Sequence, residues 1–383
     1  MVGRHTVWIA AVVLAALAGP VFAQTDSSSW TSNRVQTPAE RPGGAKLLKG
    51  APSLTPGKGL TPFTDGAAVI TTRAPAAEPG VPTLPSSPAT GPLTGDSTIA
   101  KASAGSDPAY EAFDLGRYTT ALELAKAAAE RSEPQAPTLI GRLYQEGLGV
   151  GRDDVQAAQW YRRGVELGDT NAMFAFGVML ADGGAIKKDR AGAAKMFDAA
   201  AQKGHVVANY NLALLFLTGD GKPQNPQRAA AHLAYAAEAG LAAAQYDLAT
   251  LYATGTGVEA NAEQAAKWFK RAADAGMAEA ELDYGVILFQ GKGVPPDQKR
   301  GAEMFQRAAD KGNVVAQNRL ARCYGFGAGV TADALAAAKW HFIAKAGGEQ
   351  DEVLEKLAAK LSKADRAKAE QAASAWREAA LAR

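Results

Sequence analysis

Six short segments set a glycine six residues ahead of an oxygen-bearing side chain: Gly147 and Asp153, Gly183 and Asp189, Gly219 and Asn225, Gly255 and Asn261, Gly291 and Asp297, Gly327 and Asp333. Glycine beside a carboxylate could build a calcium loop, but calcium needs about six to eight oxygen ligands. Each segment offers one such side chain, which suits capping of the free amides at a helix start. The histidines, His5, His205, His232 and His341, form no pair with metal-ligand spacing. Cys323 is the single cysteine, which excludes an intramolecular disulfide framework and a cysteine-based zinc site. No matched histidine or activating group accompanies it, so it reads as a small buried hydrophobe rather than a nucleophile. The expectation is a protein with no catalytic residue, no metal and no cofactor, and not an enzyme.

The elements that carry these segments repeat. Gly168, Gly204, Gly240, Gly276, Gly312 and Gly348 fall at steps of 36 without a gap. Eight residues before each stands Trp160, Met196, His232, Trp268, Met304 or Trp340, and four before it Gly164, Ala200, Ala236, Ala272, Ala308 or Ala344. One helix carries all three columns: a large residue to fill the space between layers, a small one for close approach, and a glycine at the left-handed end. A preceding helix carries Ala136, Ile140 and Tyr144 and their counterparts at i, i+4, i+8, an amphipathic stripe. Between the two helices, Gly147 and its counterparts are followed two residues later by Gly149, Ala185, Gly221, Gly257, Gly293 and Gly329. Each 36-residue unit is therefore a helical hairpin, and the fold class is an all-α solenoid.

Charge and the N-terminal third set the setting. With 41 basic against 39 acidic residues the net charge is +2, which gives no broad field to recruit nucleic acid or an anionic membrane. Arg4 and His5, the apolar run Val7 to Ala18 and the small-x-small site Val21-Phe22-Ala23 read as a secretory signal over 1–23, cleaved after Ala23. The run is about half the ~20 residues of a spanning helix, and Gly19-Pro20 interrupts it, so no stable membrane insertion is expected. Residues 24–106 are rich in Pro, Ser, Thr, Gly and Ala without apolar period, and read as a disordered linker. The expected product is periplasmic or secreted.

Blocks such as LYQEGLGV…D…AAQWYRRGVELG and LYATGTGV…N…AAKWFKRAADAG resemble the Sel1-like repeat, a longer-looped relative of the tetratricopeptide repeat. The resemblance covers about residues 133–348, six repeats. It implies a right-handed superhelix of antiparallel helix pairs that acts as a protein-interaction scaffold. Residues 107–132 resemble the second half of a tetratricopeptide repeat and are expected to cap the first layer. Residues 349–383 are expected to supply C-terminal capping helices, with Ser362 and Asp365 in a capping-box-like start.

Opposite the stripe of Ala136, Ile140 and Tyr144 lie positions equivalent to 138, 142 and 145, which in this type of solenoid line the concave side. In the middle repeats these are apolar: Phe174 and Val178, then Tyr210, Leu214 and Leu217, then Tyr246, then Leu282, Val286 and Phe289. Arg142 and Arg322 bound them. One reading is a groove for an apolar segment of a protein partner in the cell envelope; the other is ordinary packing between layers. The leading expectation is a monomeric interaction scaffold that regulates or assembles an envelope complex. The alternatives are a cell-wall glycan binder, using Tyr210 and Tyr246 as stacking platforms, and a β-lactam-binding or hydrolysing enzyme. The exported relatives with the latter activity carry paired cysteines in each repeat, and this chain does not.

Overall fold

The structure, a computed structural model, describes residues 107–381, and these form sixteen helices. The signal and linker expected over 1–106 lie outside the described residues. Six helical hairpins run in order: α3 (Ala136–Glu146) and α4 (Asp154–Glu166); α5 (Thr170–Asp182) and α6 (Arg190–Gln202); α7 (Val206–Thr218) and α8 (Pro226–Glu238); α9 (Ala242–Thr254) and α10 (Ala262–Asp274); α11 (Ala278–Gln290) and α12 (Gln298–Asp310); α13 (Val314–Phe326) and α14 (Ala334–Ala346). They are preceded by α1 (Pro108–Asp114) and α2 (Tyr118–Glu130) and followed by α15 (Glu352–Ala359) and α16 (Lys363–Leu381). Each helix from α2 to α14 packs on the next in the chain, so the hairpins stack as layers.

The loop oxygens cap the second helices, as their spacing predicts. Asp153, Asp189, Asn225, Asn261, Asp297 and Asp333 each accept a backbone N–H from the first turn of the helix that follows. At the other end Gly168 and its five counterparts all have positive φ, between +82° and +98°. There Asp169 N–H reaches back to Gly164 O (3.0 Å), closing the helix in the left-handed motif that glycine adopts without a Cβ penalty.

Two columns differ from the sequence reading. The large side chains that fill the space between helices are Tyr161, Phe197, Leu233, Phe269 and Phe305, each at most 1% exposed. The neighbouring column of Trp160, Met196, His232 and Met304 is only half-buried. The shift of one position is a rotation of about 100° on the helix, and it turns those four residues towards the layer edge. Trp268 and Trp340 of the same column stay buried at 4% exposure, as the column reading expects, with Arg271 4.5 Å from the Trp268 ring centre. The second departure is Ala185. The other five members of its column are glycines with positive φ, but in this loop Gly183 and Gly184 take the positive φ and Ala185 does not.

The ends are in partial register. Helix α2 starts and ends 36 residues before α4, so the N-terminal cap supplies a complete second helix behind a shortened first one. Ser132 stands where later layers have the terminal glycine, and it is the one non-glycine with positive φ (61°) among the described residues. At the C-terminus Asp351 caps α15 by accepting from Val353 and Leu354 N–H. Ser362 Oγ accepts from Asp365 N–H at 3.1 Å to start α16. Helix α16 packs on α14, with Trp376 edge-on to Trp340 at 5.5 Å.

Candidate functional site

The first helix of each hairpin carries the residues singled out as a concave face, and in the layers of α7, α9 and α11 all but its ends are buried. All residues from Leu241 to Leu251 are buried. Phe174 is fully buried, stacked on His205 (ring centres 4.6 Å apart) and against Phe197. Val178, Tyr210, Leu214 and Tyr246 are 5%, 4%, 1% and 3% exposed and belong with Phe174 to one apolar core that runs from Met173 to Leu288. Leu282 and Val286 are 7% exposed. Leu217 and Phe289, nearer the ends of their helices, are half-buried, and Phe289 stacks on Phe305 at 5.3 Å. Arg142 pairs with Glu146 (2.8 Å) and lies over the Phe113 ring; Arg322 donates to Asp351 (2.6 Å). The structure thus brings the central apolar candidates together, while the two arginines hold the N- and C-terminal layers.

Polar contacts tie the inner helices α3, α7, α9 and α13 to the layer or helix that follows. Tyr210 OH donates to Asp247 at 2.9 Å and Tyr246 OH to Asp283 at 2.7 Å, both across 37 residues. Thr138 Oγ1 donates to Asp169, and Asn318 and Arg322 both donate to Asp351. Burial pushes the Asp283 carboxyl up to about 6, partly offset by the Tyr246 hydroxyl and reinforced by Glu279. Burial also raises Asp351, but hydrogen bonds from Arg322 and Asn318 outweigh it and leave this carboxyl below the usual range.

A second polar column faces the helix before it. Asn209, Gln245 and Gln317 donate side-chain amides to the carbonyls of Ala201, Ala237 and Ala309, eight residues earlier. At the equivalent Glu281 a carboxylate cannot donate. Arg307 instead supplies the bond to Ala273 O (2.8 Å), and Arg307 and Lys311 each approach Glu281 Oε1 at 2.7 Å. Asp247, Glu281 and Asp283 were not singled out from sequence. The available signal was acidic residues within helices that are otherwise apolar.

The remaining reactive groups are held in structural roles. His205 Nδ1 accepts the Ala208 N–H as a helix cap, and burial lowers its pKa to about 4, so the ring is neutral at pH 7. His341 occupies the Tyr161 column and bonds Glu355 at 3.0 Å. Cys323 is fully buried, and that burial raises its thiol to about 12. Among the described residues no group of three or more His, Cys, Asp or Glu could hold a metal ion. No helix there is long and apolar enough to cross a membrane.

Six consecutive segments, 136–169, 170–205, 206–241, 242–277, 278–313 and 314–349, match the family model described as Sel1 repeat. Among solved structures, a Sel1 repeat protein from Oxalobacter formigenes is similar at 27% identity, over 65% of this chain and 99% of that one, with a TM-score of 0.55. The protein c5321, a protective antigen present in uropathogenic Escherichia coli strains and displaying an SLR fold, is 26% identical over 71% of this chain and 69% of that one, with a TM-score of 0.48. No curated protein matches the chain.

Proposed function

The chain belongs to the Sel1 repeat family, and from that premise we propose that it is an exported scaffold that holds a protein partner in the cell envelope. Helix pairs stacked in one register are the frame typical of protein-interaction repeats. The observation that carries the reading is the contrast between that constant frame and its inner helices. Caps, terminal glycines and small-residue columns recur layer after layer, whereas positions 217, 253 and 289 hold Leu, Ala and Phe, all half-buried at the ends of inner helices. Side-chain choice on a common surface is how a repeat protein of uniform loop length encodes a partner. Arg142 and Arg322 stand in the first and last layers beyond that stretch, each paired with a carboxylate, Glu146 and Asp351.

Export is read from Arg4, the apolar run Val7 to Ala18 and Ala23. In this proposal the linker 24–106 gives the scaffold reach, and the partner is an envelope complex that the scaffold regulates or assembles. Affinity capture with the full-length tagged chain from envelope extract, beside sedimentation with purified peptidoglycan, tests the protein-binding reading. A saturable protein partner and no sedimentation supports it; sedimentation with protein-free peptidoglycan overturns it in favour of glycan binding. The mass of the mature chain tests export, with a new N-terminus at Gln24 expected.

A further inference from the structure

The seams between layers are closed in the same way at five places. The second loop glycines, Gly149, Gly221, Gly257, Gly293 and Gly329, lie against backbone at the start of the second helix one layer earlier. A Cβ on Gly149 would stand 2.8 Å from Thr119 N, and Cβ atoms on the other four would run into the carbonyls of Arg190, Pro226, Ala262 and Gln298. Such backbone-to-backbone contact locks neighbouring layers, because neither side can rearrange a side chain to give way.

The seam between α4 and α5 lacks this lock. Its loop holds Ala185 at the locking position, and Ala185 is exposed. Of the two glycines that take positive φ here, Gly183 lies against Lys188 of its own loop, and Gly184 would meet nothing within 4 Å if it carried a Cβ. The contacts that join this seam include Lys203 Nζ to Gly168 O (2.8 Å) and Thr138 to Asp169, at the turn between the two helices. Arg162 also lies over the Phe176 ring. The apolar core is small where it crosses this seam. One large group runs from Met173 to Leu288 and another comprises α1 to α3, while a group of Ala157, Ala158, Tyr161, Ala175 and Met179 bridges α4 and α5, with Ile186 of the unlocked loop packed against it.

We propose that this seam is a hinge: α1 to α4 swing as a unit about the turn at Gly168 and Asp169, opening and closing the unlocked loop end. Layers packed without a locking contact exchange between arrangements more readily than those with one. Motion here shifts Arg142 relative to the inner helices that follow, so the N-terminal unit acts as a movable jaw.

Spin-label distance measurements on the full chain test this, because exposed positions recur in one column. The Gln159→Cys/Lys195→Cys pair spans the unlocked seam, and the Ala231→Cys/Lys267→Cys pair spans a locked one; all four sites are exposed. Buried Cys323 is replaced by Ala in both backgrounds. The expected result is a broader distance distribution for 159/195 than for 231/267. Gly257→Ala, which breaks the lock at the control seam, is expected to broaden 231/267. Equal widths for the two wild-type-loop pairs, or a 231/267 width that Gly257→Ala leaves unchanged in a folded protein, overturns the hinge.

Discussion

Tyr246 donates its phenol to Asp283 across 2.7 Å, from the first helix of one layer to the first helix of the next. Tyr210 and Asp247 repeat the arrangement one layer earlier. Both carboxylates sit inside a helix stack, Asp247 fully buried and Asp283 8% exposed. A buried carboxylate is tolerated when its lone pairs are used and is costly when they are not.

Tyr246→Phe therefore removes more than one hydrogen bond. It leaves Asp283 without that donor, and the expected loss is about 1–3 kcal/mol of unfolding free energy in urea. In the Asp283→Asn background the same change is expected to cost less, so the two substitutions are coupled. Additive losses would show that the pair does not act as a unit.

Two buried groups tilt the pH dependence in opposite directions. Asp283 titrates near 6 in the fold, above its unfolded value of about 3.9. Its contribution is fully present below that unfolded value and is lost as pH rises through about 6. His205 titrates near 4 in the fold, below its unfolded value of about 6.5. Its contribution is present above 6.5 and is lost as pH falls through about 4. Asp283→Asn is thus expected to raise stability at pH 7 relative to pH 4.5. His205→Asn keeps a cap of the kind Asn313 provides and is expected to raise stability at pH 4.5 relative to pH 7. Melting temperatures from pH 4 to 8 check both.

Ser132→Gly is expected to stabilise the chain by about 1 kcal/mol, since a non-glycine at φ 61° bears left-handed strain that glycine does not. The site is exposed, so no packing is lost. A fall in melting temperature would count against the strain.

Gly177→Ala carries the opposite sign from the usual helix-interior rule, by which alanine gains about 1 kcal/mol. A Cβ at Gly177 would lie 2.8 Å from Phe197 Cε1 and 3.1 Å from Met196 Cβ, and Phe197 is fully buried. Overpacking is expected to cost about 1–3 kcal/mol, read from chemical denaturation.

The hairpins, their caps and their terminal glycines were legible in the sequence because each rests on a local rule repeated at one period. Asp153 and its counterparts had to cap, and Gly168 and its counterparts had to end helices. Which side of a helix faces inward was not fixed by that rule. Trp160 and Tyr161 are adjacent and both large, so the choice of the buried one depends on how layers rotate against each other. The carboxylates at 247, 281 and 283 were missed for a related reason: Tyr210 and Tyr246, the partners of Asp247 and Asp283, lie a layer away, and Arg307 and Lys311 reach Glu281 from the second helix of its own layer. Ala185 was visible as a substitution in a glycine column, but its meaning needed the backbone that the other glycines touch. Candidates such as Phe174 and Leu214 were legible as an apolar stretch with two readings, groove or packing between layers, and their burial accords with packing.

The central claim is that the inner helices present a partner-specific surface on a constant frame. Site-specific photocrosslinking in the envelope fraction tests it most directly, with a photoreactive residue at 217, 253 or 289 on the inner helices, or at 159, 195 or 267 on the exposed outer helices. The account predicts that the three inner positions yield an adduct with one and the same protein and that the outer positions do not. Adducts confined to the outer positions, or none from any inner position in a folded and exported chain, would contradict it.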